Sequence, residues 1–501
     1  MKEYLCFFLI FFSPAVHTQT RDSVELFTIA ADKFITDALD SLGVPALAVT
    51  IVRNDEIIYL RGFGHTDSLE NIEANPETLF YVASCTKSFT GLAAALLDSK
   101  GLVRLDEPIS RYFPDTKFDA ALKADKITLR NLLTHTSGIQ NDGIVFRTAY
   151  TGEYTFKQLV QLLAASDTNK AGHGIFEYSN IGYNAYSLVL MKALGIEWQE
   201  LLSSSIFESL KMNNTTAYVS HLSKNKTDYA RPYSVFGTRG LQKIALEKSD
   251  ATMHAAGGMF STAQDLAKWL RIQMNGGKLD GKQVFPDSII KMTHRVHVVT
   301  NSDYGPFKRI GYGLGWYVGL YDQDTLIHHF GGFPGYHSHI SFMPDKKIGI
   351  AILVNESEVG GRLASLLSTF SYDWWLKKPN VDLNYEQRLE KMTIQKKDMS
   401  EKIAADFSQR ALRKWRFSVS IENLTGAYEN SSYGRFLVKG NENSVSFRIA
   451  GLSCAAAPFK NPNSVRVELI PGKGEVITFD ISNDGRVLSL QYDGKVFRKE
   501  D

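Results

Sequence analysis

Three short runs of residues have the types and spacing to carry acyl transfer. Ser84-Cys85-Thr86-Lys87 places a hydroxyl and an amine three residues apart. Residues i and i+3 share one helix face, so the Lys87 amine can reach the Ser84 hydroxyl. A helix N-terminus adds positive dipole, which disfavours an ammonium and favours an alkoxide, as a Ser–Lys nucleophile pair needs. Two further S-x-x-K spacings exist, Ser223 to Lys226 and Ser288 to Lys291. Only the first lies between an apolar run and an amphipathic helix, so the other two read as surface positions.

The second run is Tyr178-Ser179-Asn180. A phenol can move protons between nucleophile and leaving group if nearby cations lower its pKa. An Asn amide can both accept from and donate to a substrate amide. A second Tyr-x-Asn, Tyr428 to Asn430, falls in a β-rich tail and reads as a turn. The third run is His329-Phe330-Gly331-Gly332, in which two glycines after a strand free backbone N–H groups to face a ligand. That suits an oxyanion hole.

The patterns around these runs must position them. Residues from Val24 to Leu42 recur at helical spacing, and Gly43 and Pro45 stop them. Ala46 to Val52 and Ile57 to Phe63 read as a hairpin, and Leu79 to Ala83 as an apolar run delivering Ser84. Phe89, Leu92, Ala93, Leu96 and Leu97 then follow at period 3.6, and Gly101 ends them. Helical segments are expected at Leu129 to Leu133, Phe156 to Ala165, Tyr183 to Leu194 and Ala263 to Met274. Strands return at Gly313 to Val318, Thr325 to His329, Tyr336 to Met343 and Ile348 to Val354, before a helix from Arg362 to Trp375. Strands at both ends and helices between predict an α/β (α+β) fold, an antiparallel sheet flanked by helices with a helical insertion. Residues 379–418 read as a charged helical linker and 419–501 as a small all-β module.

Composition bounds the partners. The 501 residues are 44% hydrophobic and 22% charged with a formal charge of +2, which gives no electrostatic reason to expect nucleic acid. Residues 1–18 read as a secretory signal: Lys2, a short apolar run from Tyr4 to Phe12, then Pro14 and Ala15. That run is too short to span a bilayer, and no later one reaches the roughly 18 apolar residues a span needs. A secreted chain is therefore expected. N-x-S/T triplets at Asn213, Asn214, Asn225, Asn355, Asn423 and Asn430 would permit glycans where they reach the surface of a eukaryotic product. Three cysteines are too few for a disulfide framework, and Cys85 reads as a packed thiol. His328, His329, His337 and His339 lack an acidic or cysteine ligand at recognisable spacing, so no metal is expected. Tyr372, Trp374 and Trp375 read as core.

The order S-x-x-K, Y-x-N, H-x-G resembles the serine hydrolases related to class C β-lactamases, low-molecular-weight penicillin-binding proteins and the esterases sharing their fold. The flanks resemble them too: Leu132-Leu133-Thr134-His135-Thr136-Ser137-Gly138, Ala256-Gly257-Gly258-Met259-Phe260-Ser261-Thr262 and Tyr312-Gly313-Leu314-Gly315-Trp316. The likeness covers about residues 24–378, within a hydrolase domain bounded at 19–378, and the tail is similar to a β-barrel-like appendage on some members. The resemblance implies that Ser84 attacks an acyl carbonyl, Lys87 is general base, Tyr178 relays the proton and Asn180 positions the substrate. It implies that N–H groups of Ser84 and Gly332, beside Gly331, hold the oxyanion, and that no cofactor is needed. His329 stands where β-lactamases and transpeptidases commonly carry lysine. Histidine is largely neutral at pH 7, and the family's histidine variants are more often esterases or peptidases, so a small ester, amide or peptide is the expected substrate. His135 reads as a residue holding a loop. Two alternatives stand beside this: a non-catalytic extracellular binding or matrix protein on the same scaffold, and a D,D-peptidase, periplasmic in a Gram-negative host.

Overall fold

A computed structural model describes residues 15–68, 70–222, 229–237 and 240–500, with only the backbone for 15–21. Most of the expected signal, the triplet at Asn225 and the Ser223 to Lys226 pair lie outside the described residues.

One nine-stranded antiparallel sheet organises the first three quarters of the chain. Its strands are β1 (Ala46–Arg53), β2 (Glu56–Asp67), β3 (Ile72–Glu73), β4 (Val298–Tyr304), β5 (Phe307–Tyr312), β6 (Tyr317–Tyr321), β7 (Asp324–Phe333), β8 (Tyr336–Met343) and β9 (Ile348–Val354). Their order across the sheet is β4-β5-β6-β7-β8-β9-β1-β2-β3. β1 therefore pairs with β9, Leu47 opposite Val354 and Arg53 opposite Ile348, so the two ends of the domain close the sheet. Asn54 and Asp55 at φ 50° and 71° form the two-residue turn that the β1–β2 twist favours.

β1 and β9 are buried on both faces, which explains their unbroken apolar runs. Ala46, Ala48 and Val52 enter a core with α2 (Thr86–Ser99) and α4 (Ala263–Met274), while Leu47, Val49 and Ile51 enter a second core. The second core holds α1 (Ala15–Leu42), α5 (Gly360–Trp375) and the first half of α6 (Val381–Ala411), through Phe34, Phe370 and Tyr385. Val381, Tyr385, Leu389 and Met392 are buried there, so the charged stretch after Pro379 begins as part of the hydrolase domain and only its later half is solvated. Tyr372 is buried and Trp374 and Trp375 pack against the same core.

The insertion carries α3 (Ile181–Leu194), whose N-terminal residues abut the site. Beyond α6, nine strands from Gly426–Asn430 to Lys495–Lys499 form a second antiparallel sheet that curls nearly closed around Tyr428, Phe436, Phe447, Phe479 and Phe497. Tyr428 lies in a strand rather than a turn, and Asn430 at its end accepts the Ser432 and Tyr433 N–H groups. The module docks on the insertion: Arg147 Nε donates to Ser432 O at 2.7 Å, and Phe146 stacks on Tyr433 at 4.9 Å. Among the described residues no helix is long and apolar enough to cross a membrane.

Two sequence expectations shift. Gly313 to Trp316 is a loop, and the strand starts at Tyr317. Gly315, at φ +80°, lets that loop lie on α2, since a Cβ there would stand 2.2 Å from Lys87 O. The apolar run Leu79 to Ala83 supplies only a two-residue strand, Phe80–Tyr81, paired with Phe260–Ser261.

Candidate active site

That short pairing brings the Ala256-Gly257-Gly258 loop beside the nucleophile turn, where Val82 N–H donates to Met259 O at 2.9 Å. Ala83 then takes φ +44°, a left-handed conformation that costs a non-glycine residue about 1–2 kcal/mol. The bend presents Ser84 half-buried in a 3-10 turn, Ala83–Cys85, which runs directly into α2. Ser84 thus precedes the α-helix that the pattern placed it in, yet keeps its i, i+3 relation to Lys87. α2 is fixed by Phe89, whose ring stacks on Trp269 with centroids 3.7 Å apart.

Lys87 is fully buried and its Nζ lies 3.0 Å from Ser84 Oγ, 2.8 Å from Asn180 Oδ1 and 2.7 Å from Ala256 O. All three partners are uncharged. Burial without a carboxylate pushes the amine well below its ordinary value, toward the neutral form. A neutral amine has two N–H groups, which Asn180 Oδ1 and Ala256 O can accept, leaving a lone pair toward the Ser84 hydroxyl.

Tyr178 has its hydroxyl end close to Ser84 and exposes 39% of its surface. Burial of the hydroxyl end pushes its pKa well up, with the Ser84 contact opposing. The expected lowering by cations does not occur, because Lys87, 4.9 Å from the ring centroid, sits in the same dry environment. Tyr178 is therefore a proton donor at rest. His135, at φ +59°, lies under it with ring centroids 4.4 Å apart, and its Nδ1 accepts the Ser179 N–H at 3.2 Å. Burial keeps this imidazole neutral.

β7 forms the opposite wall. A Cβ on Gly331 would stand 2.2 Å from Val82 O and 3.1 Å from Ser84 N, so only glycine allows the strand onto the nucleophile turn. Gly332 is exposed beside it. His329 is 1% exposed, with Nδ1 2.8 Å from Phe330 O and Nε2 3.2 Å from the Tyr312 hydroxyl. A carbonyl only accepts, so Nδ1 carries the hydrogen, and burial beside Lys87 holds the ring neutral.

Ser84, Lys87, Tyr178, Asn180, His329, Gly331 and Gly332 thus converge on one cleft. Sequence reasoning missed Ala256 O, a backbone acceptor with no side-chain signal, and Tyr312, seen only as part of a flank. It also missed Arg309, whose guanidinium lies 3.5 Å from the Tyr317 ring centroid, itself stacked on Tyr178. The four nearby histidines do not converge: His329 lies beside Tyr178 and Tyr312, His328 and His339 pack with Phe307 and Phe330 on the other face of the sheet, and His337 Nδ1 lies 3.0 Å from Glu356 O. Among the described residues no three potential metal ligands gather.

Cys85 is packed between His329 O and Ser338 Oγ, and burial pushes its thiol up to about 12. Asn355 is fully buried, its amide bonded to Ala46 N and Arg231 O, so that triplet is closed to a glycan. Asn213, Asn214 and Asn423 are exposed. In the third S-x-x-K, Lys291 pairs with Asp287 at the surface.

Comparison with known proteins places the chain in a family. The sequence pattern of the beta-lactamase family matches residues 31–366. Protein flp of Staphylococcus aureus (strain N315) is 26% identical over 340 residues, 68% of this chain and 65% of that protein, so the match spans about two thirds of its length. The putative penicillin-binding protein PbpX of Bacillus subtilis (strain 168) is 27% identical over 354 residues, 70% of this chain and 77% of that protein. Among solved structures, the octameric penicillin-binding protein homologue from Pyrococcus abyssi has a TM-score of 0.59 at 22% identity. It covers 94% of this chain and 99% of its own, so the shared fold extends into the C-terminal module. The D-amino acid amidase from Ochrobactrum anthropi SV3 has a TM-score of 0.57 at 22% identity, covering 71% of this chain and 99% of its own. The chain belongs to the beta-lactamase family of serine hydrolases.

Proposed function

We propose that this protein is a secreted acyl-transfer hydrolase that opens a small ester, amide or peptide through an acyl-Ser84 intermediate. The observation that carries the reading is the Lys87 amine, buried without a carboxylate and 3.0 Å from Ser84 Oγ. Lys87 takes the Ser84 proton as the oxygen attacks the acyl carbonyl. N–H groups of Ser84 and Gly332 receive the developing oxyanion, a term worth about 10²–10³ in rate per donor. Tyr178 donates its proton to the leaving oxygen or nitrogen and recovers one from the protonated Lys87, which thereby returns to the neutral amine. Asn180 orients the substrate amide, and water then attacks the acyl-enzyme with the same groups reversed.

The neutral His329 supplies no charge for a substrate carboxylate at the position where related enzymes use lysine, which favours esters and amides over β-lactams. The fold shared with the D-amino acid amidase adds D-amino amides to the compounds worth testing. The extracellular location rests on the apolar run near the N-terminus. Incubation of the purified protein with a fluorophosphonate, followed by intact mass, tests the reading. A single adduct on wild type and none on Ser84→Ala is expected; an unlabelled, folded wild type would overturn it.

A further inference from the structure

The titratable groups that face Lys87 carry no charge. The Tyr178 and Tyr183 ring centroids lie 4.9 Å and 5.5 Å from Nζ, and Cys85, His135, His254 and His329 complete the set. Burial holds the thiol and the phenols protonated and the three imidazoles neutral. Beside the Ser84 hydroxyl, the amine is therefore governed by two dipoles at hydrogen-bond distance, Asn180 Oδ1 and Ala256 O.

Ala256 lies in a tight turn, His254 to Gly257, closed by the Gly257 N–H donating to His254 O at 2.9 Å. All four residues are buried. Gly258 lets the chain fold back over the turn, since a Cβ there would stand 2.3 Å from His254 N. Two contacts pin the turn, and each comes from a helix that also supplies a Lys87 interaction. On α2, Thr90 lies one helical turn beyond Lys87, and its hydroxyl donates to Ala255 O at 2.9 Å. On α3, Asn184 lies one helical turn beyond Asn180, and its N–H donates to Asn180 O at 3.2 Å.

The Asn184 side chain reaches the turn through His254, with Oδ1 3.3 Å from Nδ1. The next partner along fixes the hydrogens. Thr148 donates its hydroxyl hydrogen to Ile144 O at 2.7 Å, so its oxygen accepts from Asn184 Nδ2 at 2.9 Å. The amide oxygen then faces His254, and Nδ1 carries the hydrogen. Both acceptors of the Lys87 amine thus belong to one frame built from two helices and a turn.

We infer that the His254–Gly257 turn is a positioning device for the general base: Thr90 and His254 hold the Ala256 carbonyl against Lys87 and so fix the direction of the amine's lone pair. The inference rests on the reading of Lys87 as base to Ser84. With both N–H groups committed to Asn180 Oδ1 and Ala256 O, the lone pair is left toward the hydroxyl. With Ala256 O displaced, the amine rotates and the alignment is lost. A carbonyl also favours ammonium over amine, because a charged donor bonds more strongly. Displacing Ala256 O therefore slows attack and makes Lys87 harder to protonate. Thr90 and His254 touch no reacting atom and exchange no proton in the reaction.

The test follows the fluorophosphonate labelling rate of Ser84 against pH in wild type, Thr90→Val, His254→Leu and His254→Asn. Valine matches threonine in shape, and asparagine keeps a donor near the position of Nδ1. In Thr90→Val and His254→Leu the high-pH rate is expected to fall about tenfold. The rising limb should move to lower pH by about half a unit, as loss of one hydrogen bond to a charged group would give. His254→Asn should recover most of both effects. A slower rate with an unmoved limb in Thr90→Val and His254→Leu would mean packing alone and overturn the inference, as would wild-type behaviour in both. Thr90→Val carries the test by itself if His254→Leu does not fold. An unlabelled wild type removes the parent reading, whereas a labelled wild type with unmoved variants removes this inference alone.

Discussion

His135 and Tyr178 lie in ring contact with centroids 4.4 Å apart and planes tilted by 36°, and the same imidazole accepts the N–H of Ser179, the residue between Tyr178 and Asn180. One ring thus sets the height of the phenol and the orientation of the turn that carries Asn180. His135→Ala removes both supports at a position whose φ of +59° already disfavours alanine. The fluorophosphonate labelling rate of Ser84 is expected to fall about tenfold, the equivalent of one lost hydrogen bond of about 1.4 kcal/mol. Because His135 is neutral and touches no reacting atom, the pH at half-maximal labelling should stay where it is; a shifted profile would mean that His135 itself exchanges protons.

Lys87→Met keeps the length of the side chain and removes its basicity. General-base contributions are about 10²–10⁴-fold, so kcat/KM for an activated ester should drop by that order. Circular dichroism and thermal melting on the same samples separate this loss from unfolding. Retention of more than a tenth of the wild-type rate would remove Lys87 from the mechanism.

The depressed pKa of Lys87 fixes the sign of two pH effects. Attack needs the neutral amine, so kcat/KM should rise with pH through the folded-state pKa of Lys87 and then hold level. Stability follows the same direction. Between that pKa and the ordinary lysine value of 10.5, the unfolded chain binds the proton and the folded chain does not. Stability therefore increases with pH in this window, by up to about 1.4 kcal/mol per pH unit for one proton. Urea midpoints at pH 7 and pH 9.5 should diverge less in Lys87→Met than in wild type. Equal divergence would place Lys87 as charged in the folded protein.

Gly331 and Gly332 should respond differently to alanine. At Gly331 the new Cβ meets Val82 O at 2.2 Å and Ser338 Oγ at 2.3 Å, both packed around the nucleophile turn. At Gly332 it meets only the His337 ring, at 3.3 Å. Gly331→Ala is expected to destabilise by about 1–3 kcal/mol and to cut acylation by about 10²-fold or more. Gly332→Ala should stay within about fivefold of wild type on the same substrate, since backbone N–H geometry decides its contribution. Reversed severity would place the strand differently against Ser84.

Cys85 should resist alkylation in the folded protein, because its thiol is buried and pushed up to about 12. Peptide mapping after brief iodoacetamide treatment should show Cys454 modified and Cys85 intact until denaturant is added.

Much of this site is visible in the sequence because its side chains sit in short runs: Ser84 to Lys87, Tyr178 to Asn180, and His329 to Gly332. Tyr336 to Met343 and Ile348 to Val354 are strands with the bounds that their apolar patterns suggest. β4 and β5 escaped notice because Val298–Tyr304 and Phe307–Tyr312 form the sheet edge, where polar and glycine residues replace the apolar alternation. Ala256 O escaped because any residue type could supply a carbonyl there. Arg309 escaped for another reason: its aromatic neighbours Tyr304 and Tyr317 meet it only once β4, β5 and β6 pair, and no linear spacing marks them. The protonation of Tyr178 is not legible in the sequence either, since a nearby lysine lowers a phenol's pKa only if it is charged, and burial of Lys87 decides that.

Tyr150 belongs to two structures at once, packed on the core of the C-terminal module and stacked on Phe333 at the cleft. The strand end that follows Gly331 and Gly332 is thus fastened from both halves of the chain. Under mild heat or denaturant, loosening of the module would free that edge of β7 before the nucleophile turn itself gave way.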